Sequence, residues 1–240
     1  MTYTIIVIGI LLVLSVVLIE KTQYDKSEYH RQTQNSFWYV CGNKGKNGEY
    51  SLVSCLEHLN GYKQYLINCY LPKPDGTTSE IDVILLHESG VYVLEAKNYS
   101  GWIFGSENQK YWTETFSDRH GGSKKYRFYN PIWQNKAHVK VLKQFLGDNS
   151  ISVYSGIIFS DECELKELHI TSGKHCVVNC RNLLPALQRN CERMGQQLST
   201  ERIDALYNKL FPFTQVSDEL KAQHIMQAQQ AKYDNRYNKY

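Results

Sequence analysis

Glu80-Ile81-Asp82-Val83-Ile84-Leu85-Leu86, then after a short connection Val91-Tyr92-Val93-Leu94-Glu95-Ala96-Lys97, is the stretch on which the reading of this chain turns. Both halves are dense in branched and aromatic residues, which predicts two β-strands joined as a hairpin. If His87 to Gly90 form the connection, Leu86 pairs with Val91, and counting outward sets Asp82 across from Glu95. A two-residue loop at Glu88-Ser89 gives the same register. A three-residue loop, or a bulge at Gly90, moves Asp82 to the other face. Lys97 lies two residues beyond Glu95 and leaves the sheet on the same side. Apart from the charges both faces are apolar, with Ile81, Val83 and Leu85 on one and Ile84, Leu86, Val91 and Val93 on the other. Strands of that kind sit inside a sheet covered by helices.

Two carboxylates facing each other across a strand pair repel and destabilise the sheet. A divalent cation between them removes that cost, and a lysine beside them can then act on a nearby substrate. Metal-dependent phosphodiester chemistry needs such an arrangement. The plainer reading has Glu95 and Lys97 neutralising each other at a solvated strand end. An Asp82 opposite Glu95 weighs against it.

The chain has 240 residues, enough for one domain of moderate size with additions, and ordinary apolar content. A formal net charge of +3 does not by itself argue for nucleic acid. Seven cysteines cannot all pair within a monomer, which fits a reducing compartment. Zinc ligation by His169, His175, Cys176 and Cys180 is disfavoured, because no CxxC pair exists and Cys176 to Asn179 reads as a strand. No GxxxxGK[ST] loop and no GxGxxG after a strand supports nucleotide binding.

Residues 5–19 carry no charge and are dominated by Ile, Leu and Val. With the first four residues they reach the roughly 17–25 residues of a spanning helix. A signal peptide would need a basic stretch before the run and a small-x-small site after it, and neither is present. Lys21, Lys26 and Arg31 follow the run, so the positive-inside tendency sets the N-terminus outside and the body in the cytoplasm. The expected organisation is an anchor over 1–20, a juxtamembrane linker over 21–42, a core over 43–160, a continuation over 161–212, and a polar helical or disordered tail over 213–240.

Gly42, Gly45 and Gly48 break the chain before an amphipathic helix over 49–60, with Leu52, Val53, Leu56 and Leu59 on one stripe and Gly61 at its end. Glu49 falls on that stripe. The favourable helix dipole is the plain explanation for an acid there, but not for its pointing inward. Strands are expected over 65–70 and 153–159, a weaker one over 176–179, and a hairpin from 102–105 and 111–116. Asn130 caps a helix begun by Pro131 and closed by Gly147. Helices are also expected over 183–194 and 200–210. The order predicts an α/β fold, a central mixed sheet flanked by helices.

Gly45-Lys46-Asn47-Gly48-Glu49 opening a helix, Glu80-Ile81-Asp82-Val83 on a strand, Gly90 through Tyr99 with Glu95-Ala96-Lys97 inside it, Gly101-Trp102-Ile103-Phe104-Gly105, and Asn130-Pro131 with Gln134 together form a specific set. In these motifs the chain resembles the nuclease-related domain (NERD) family of the PD-(D/E)xK phosphodiesterase superfamily, over about Asn43 to Leu146. The resemblance implies a restriction-endonuclease-like fold and a nuclease site. Asp82, Glu95 and the Ala96 carbonyl would hold Mg²⁺ or Mn²⁺, hard cations that prefer oxygen. Glu49 would bind a second ion or a metal-bound water. Lys97 would orient the attacking water or stabilise the phosphorus centre, and Gln134 would fix the site from its helix. The chain departs from the family at Glu80, where a Gln-like residue is common.

Arg119, His120, Lys124, Lys125 and Arg127 gather in and after a polar loop over 118–125, interleaved with Tyr126, Phe128 and Tyr129. Basic groups meet phosphates and aromatic rings stack on unpaired bases, so Arg119, Lys124, Lys125, Tyr126 and Arg127 are the expected nucleic-acid contacts. A solvated loop is the alternative. DNA is the expected partner, RNA is not excluded, and no recognition helix is visible.

Overall fold

A computed structural model describes residues 2–117 and 122–237. Helices α1 (Thr2–Lys26), α2 (Glu28–Thr33), α3 (Phe37–Gly42) and α4 (Lys44–Glu57) lead into strands β1 (Lys63–Pro72), β2 (Thr78–His87) and β3 (Gly90–Lys97). Strands β4 (Trp102–Ser106), β5 (Tyr111–Ser117) and β6 (Ser123–Tyr129) follow, then α5 (Pro131–Leu146) and β7 (Val153–Phe159). The chain continues through β8 (Glu164–His169), β9 (His175–Asn179), α6 (Cys180–Met194), α7 (Thr200–Leu210), a 3-10 turn over Phe211–Thr214, and α8 (Asp218–Tyr237).

The fold is α/β, with mixed sheets flanked by helices. One sheet has the order β1-β2-β3-β7-β9, antiparallel through β3 and parallel beyond it. Its two faces are covered separately. Leu52, Val53 and Leu56 of α4 and Leu183 and Leu187 of α6 pack with Val83, Leu85, Tyr92 and Leu94. Leu142 and Leu146 of α5 and Ile203, Leu206 and Leu210 of α7 pack with Ile84, Leu86, Val91 and Val93. Burial on both faces explains why these strands read as continuous apolar runs. A second sheet, β6-β5-β4-β8, was not foreseen beyond its β4-β5 hairpin. Its Ile103 and Trp112 pack on Ile132, Ile157 and Phe159, against the start of α5 and the end of β7.

The hairpin register is the expected one. His87 pairs with Gly90 and Leu86 with Val91, around a two-residue turn at Glu88-Ser89. Gly90 takes φ +134, a conformation that a side chain rarely adopts. One detail differs. Ile81 lies on the α5 side of the sheet, not with Val83 and Leu85 on the α4 side. The alternation breaks at Asp82, and on the neighbouring strand at Asn68, a non-glycine residue with φ 52. The β2-β3 pairing ends at Val83 and Leu94, one pair short of Asp82 and Glu95.

Residues 21–42, expected as a juxtamembrane linker, are helical and packed on the body. They finish α1 and form α2 and α3, and Tyr24, Tyr29, Phe37 and Val40 are buried against α4. Helix α4 begins at Lys44, where the Asn43 side chain accepts the Lys46 N–H, so Gly45 and Gly48 lie inside it. It ends at Glu57, four residues before Gly61. Helix α5 has the expected caps, with Asn130 accepting the Ile132 N–H and Gly147 left-handed at φ 68. Thr2–Lys26 is one helix with mean hydropathy 2.8 over its best window, long enough to cross a bilayer, with most apolar residues of 5–19 exposed. A signal sequence near the N-terminus has the same character.

Candidate active site

Asp82, Glu95, Lys97, Gln134 and Glu49 come together where the β2-β3 pairing ends, between α4 and α5. Where the backbone ladder stops, the Asp82 carboxylate takes over: its Oδ2 accepts the Ala96 N–H at 2.9 Å. Asp82 thus sits in the seam between the strands, beside Ala96 as well as Glu95. Glu95 is only 2% exposed. Its Oε1 accepts from Lys97 Nζ at 2.6 Å and from Gln134 Nε2 at 2.6 Å. Lys97 Nζ also donates to Gln134 Oε1 at 3.1 Å, closing a three-membered ring of contacts. Glu95 is therefore buried and Lys97 half-buried, and the pair is not a solvated strand end.

Glu49 points inward as its position on the α4 stripe required, and is buried. Lys46 Nζ donates to its Oε1 at 2.8 Å, and Tyr29 Oη donates to its Oε2 at 3.1 Å. Lys46 also reaches Asn68 Oδ1 at 3.3 Å. Gly48, one residue before Glu49, allows this approach of α4 to the end of β3. A Cβ there would stand 3.1 Å from the Asn98 Cβ.

The charges are unequally balanced. Burial works against the Glu95 charge, but Lys97 and His138 outweigh it and hold the carboxyl down at about 2. Burial likewise works against the Lys97 charge, and Glu95 with Asp82 reverses the outcome, so its pKa is raised. Asp82 goes the other way. Burial, then the Glu95 and Glu49 charges, push its carboxyl well above the ordinary 3.8, with Lys97 and the Ala96 N–H opposing. Glu49 is also raised, by burial, with Lys46 opposing. The site thus holds one carboxylate more than its lysines balance, and Asp82 bears the excess.

That imbalance fits a cation held by oxygen donors. Glu95 Oε2 is buried without a hydrogen bond, as is His138 Nε2, which faces it at 3.3 Å. Asp82, Glu95 and the Ala96 carbonyl are donors of the hard type that Mg²⁺ and Mn²⁺ take. Among the described residues no three His, Cys, Asp or Glu side chains already stand as a ligand group. His169, His175, Cys176 and Cys180 form none, and all seven cysteines are thiols.

Several site residues escaped the sequence reading. His138 lies one helical turn after Gln134, and its Nδ1 is 2.8 Å from Ser79 Oγ. That i, i+4 spacing was a usable signal. Lys46 stands three residues before Glu49, another usable spacing. Asn135, fully buried, donates to Val93 O, Ser155 Oγ and Gly156 O and fastens α5 to β3 and β7. Tyr29 and the tail residue His224 carried no local signal. His224 is 2.9 Å from Thr78 Oγ1 and 3.6 Å from Glu80 Oε2, so α8 docks beside the site.

Part of the basic cluster lies on a strand. Lys124, Lys125, Tyr126 and Arg127 lie on β6, an edge strand, and Arg119 lies outside the described residues. Alternation splits them. Lys124 and Tyr126 share the face of Phe128, whose ring stacks on Tyr99 at 4.5 Å, two residues past Lys97. Lys125 and Arg127 take the opposite face, where Arg127 covers the Tyr111 ring at 5.1 Å.

An uncharacterized protein of Bacillus anthracis is 28% identical over 183 residues, covering 76% of this chain and 82% of that protein. No solved structure matches the chain. The family model of the nuclease-related domain matches residues 44–160, the span that holds α4, the hairpin, β4 to β6, α5 and β7. Asp82, Glu95, Lys97 and Gln134 all gather inside the residues that match the nuclease-related domain.

Proposed function

We propose that this protein is a membrane-anchored, Mg²⁺- or Mn²⁺-dependent nuclease that hydrolyses DNA phosphodiester bonds. The observation that carries the reading is the mutually bonded set of Glu95, Lys97 and Gln134 beside Asp82, whose carboxyl is driven towards protonation by burial and by the Glu95 and Glu49 charges. Asp82, Glu95 and the Ala96 carbonyl are the groups that would hold the metal, with Glu49 available to a second ion or a metal-bound water. A bound metal supplies Lewis acidity and a water acidic enough to attack near neutral pH. Lys97 holds Glu95 in place and presents a cation to a phosphate oxygen. Gln134 bonds both Glu95 and Lys97 and fixes their spacing. Helix α1 would anchor the chain with its N-terminus outside and the domain in the cytoplasm, as Lys21, Lys26 and Arg31 favour. The face of Lys124 and Tyr126 would carry the nucleic acid.

The test is cleavage of single- and double-stranded DNA and RNA with Mg²⁺ or Mn²⁺, set beside Asp82→Asn and Glu95→Gln. Cleavage by the parent that falls at least a hundredfold in both variants supports the reading. Cleavage that survives the double change places the chemistry elsewhere. A second reading has the protein bind nucleic acid at the membrane without cutting it. The Glu95 contacts favour it, since Lys97 already neutralises that carboxylate. DNA binding with no metal uptake by calorimetry, in folded protein, would decide for it.

A further inference from the structure

The cleft beside Lys97 contains two thiols that the proposed chemistry does not use. Cys55 is in the last turn of α4 and Cys180 opens α6. They are 125 positions apart in sequence, and their Sγ atoms are 2.7 Å apart. Helix packing holds them there. Leu52 and Leu56 of α4 and Leu183 and Leu187 of α6 share one core, and Cys180 Sγ is 3.6 Å from Ser51 O. The pair is also reachable. Cys55 and Cys180 line the same cleft as Gly48, Lys97, Asn98 and Asp161, and Cys55 is half-buried. The hydrogen bond to Cys180 holds the Cys55 thiol below its ordinary range, with burial opposing. Burial alone pushes Cys69 up to about 12. Cys55 is the more accessible of the two thiols, Cys180 being buried, so Cys55 is the one an oxidant meets first.

We propose that Cys55 and Cys180 form a reversible disulfide site, oxidised by hydrogen peroxide, that ties α4 to α6 along the cleft beside Lys97. The Cys55 thiolate attacks one peroxide oxygen, becomes a sulfenic acid and releases hydroxide, which leaves as water with the proton Cys55 gave up. The Cys180 sulfur then attacks the Cys55 sulfur, and the sulfenic hydroxyl leaves with the Cys180 proton as a second water. Two electrons pass from the two sulfurs to the peroxide. A dithiol reverses the bond by exchange. In a reducing compartment such bonds are transient and mark oxidation, which suits one that clamps the helix bearing Glu49.

The full-length protein in detergent is treated with hydrogen peroxide, blocked with N-ethylmaleimide and digested without reductant. The expected product is one peptide pair joining Cys55 to Cys180, two hydrogens lighter than its parts, which dithiothreitol separates. Cys55→Ser and Cys180→Ser should each abolish it. Peroxide should also raise the urea midpoint of the parent and of neither variant, because a cross-link closing a long loop restricts the unfolded chain. Recovery of Cys55 and Cys180 as alkylated thiols, in a sample whose exposed Cys41 is oxidised, overturns the proposal. So does Cys55 trapped as a sulfenic acid without a bridge, or Cys180 joined to another cysteine.

Discussion

At the scale of the residue, the two strand carboxylates respond to pH with opposite signs. Glu95 is held at about 2, below its ordinary 4.5, so it contributes stability above that ordinary value and loses it as pH falls towards 2. Asp82 is raised above 3.8, so the native state binds its proton more tightly than the unfolded chain. Its penalty is absent below that value and grows as pH rises through the interval. Asp82→Asn keeps an oxygen for the Ala96 N–H and removes the charge. We expect metal-free Asp82→Asn to be at least as stable as the parent in urea at pH 7, with the difference vanishing near pH 3.5. A variant clearly less stable at pH 7 would contradict the charge imbalance. Tyr29→Phe removes one buried hydrogen bond to Glu49 and should cost about 1–2 kcal/mol in the same assay. Asp82, Glu95, Lys97 and Glu49 were legible in the sequence because strand alternation and helix periodicity name a face. Tyr29 was not, because its partner is 20 positions away and only packing joins them.

At the scale of the element, the end of α1 is part of the packed body. Its last turn sends Tyr24 into a cluster with Tyr29, Phe37 and Tyr50, and Tyr24 Oη donates to Asn35 O at 2.7 Å. In α2, Gln32 Nε2 donates to Tyr65 O while its Oε1 accepts the Ile67 N–H, bonding the helix to β1. The domain therefore begins near residue 20. A fragment starting at Glu20 should fold as the full chain does. One starting at Ser36 loses two fully buried tyrosines and these bonds, and burial of each ring is worth about 1.5–3 kcal/mol. We expect the shorter fragment to melt at least 10 °C lower or to aggregate, by circular dichroism and size exclusion. Equal melting would show that α1 and α2 add nothing to the domain. The polar composition of 21–34 hid this packing, since its inward residues are tyrosines and a glutamine, which composition scores as surface.

At the scale of the whole molecule, two sheets share α5, and the second carries the basic edge towards Lys97. Pairing of β6 with β5 puts Lys124 and Tyr126 on the site's side and Lys125 and Arg127 on the other. Lys124→Ala with Tyr126→Ala should weaken DNA binding about tenfold or more and lower the salt slope by about 1, as expected when one phosphate contact is lost. Lys125→Ala with Arg127→Ala should change little. Equal effects from the two pairs would point to an unstructured electrostatic contact. Fluorescence anisotropy at several salt concentrations, in EDTA, separates these outcomes. Alkaline carbonate washing of membranes tests α1: an anchored chain stays in the pellet.

The sequence by itself determined the local and the periodic features. It marked the apolar N-terminal helix, the hairpin and its register, the capped α5, the inward Glu49, and a site built on Asp82, Glu95 and Lys97. All of these follow from neighbours a few residues apart, where side-chain period and turn chemistry act. Tertiary structure decided the rest. It split the strands into two sheets, turned the 21–42 segment into part of the body, and ended the ladder so that Asp82 bonds Ala96. It also divided the basic cluster between two faces, brought α8 to Glu80, and set Cys55 against Cys180. These depend on contacts between distant segments, and no local pattern records which apolar or polar groups will meet once the core closes.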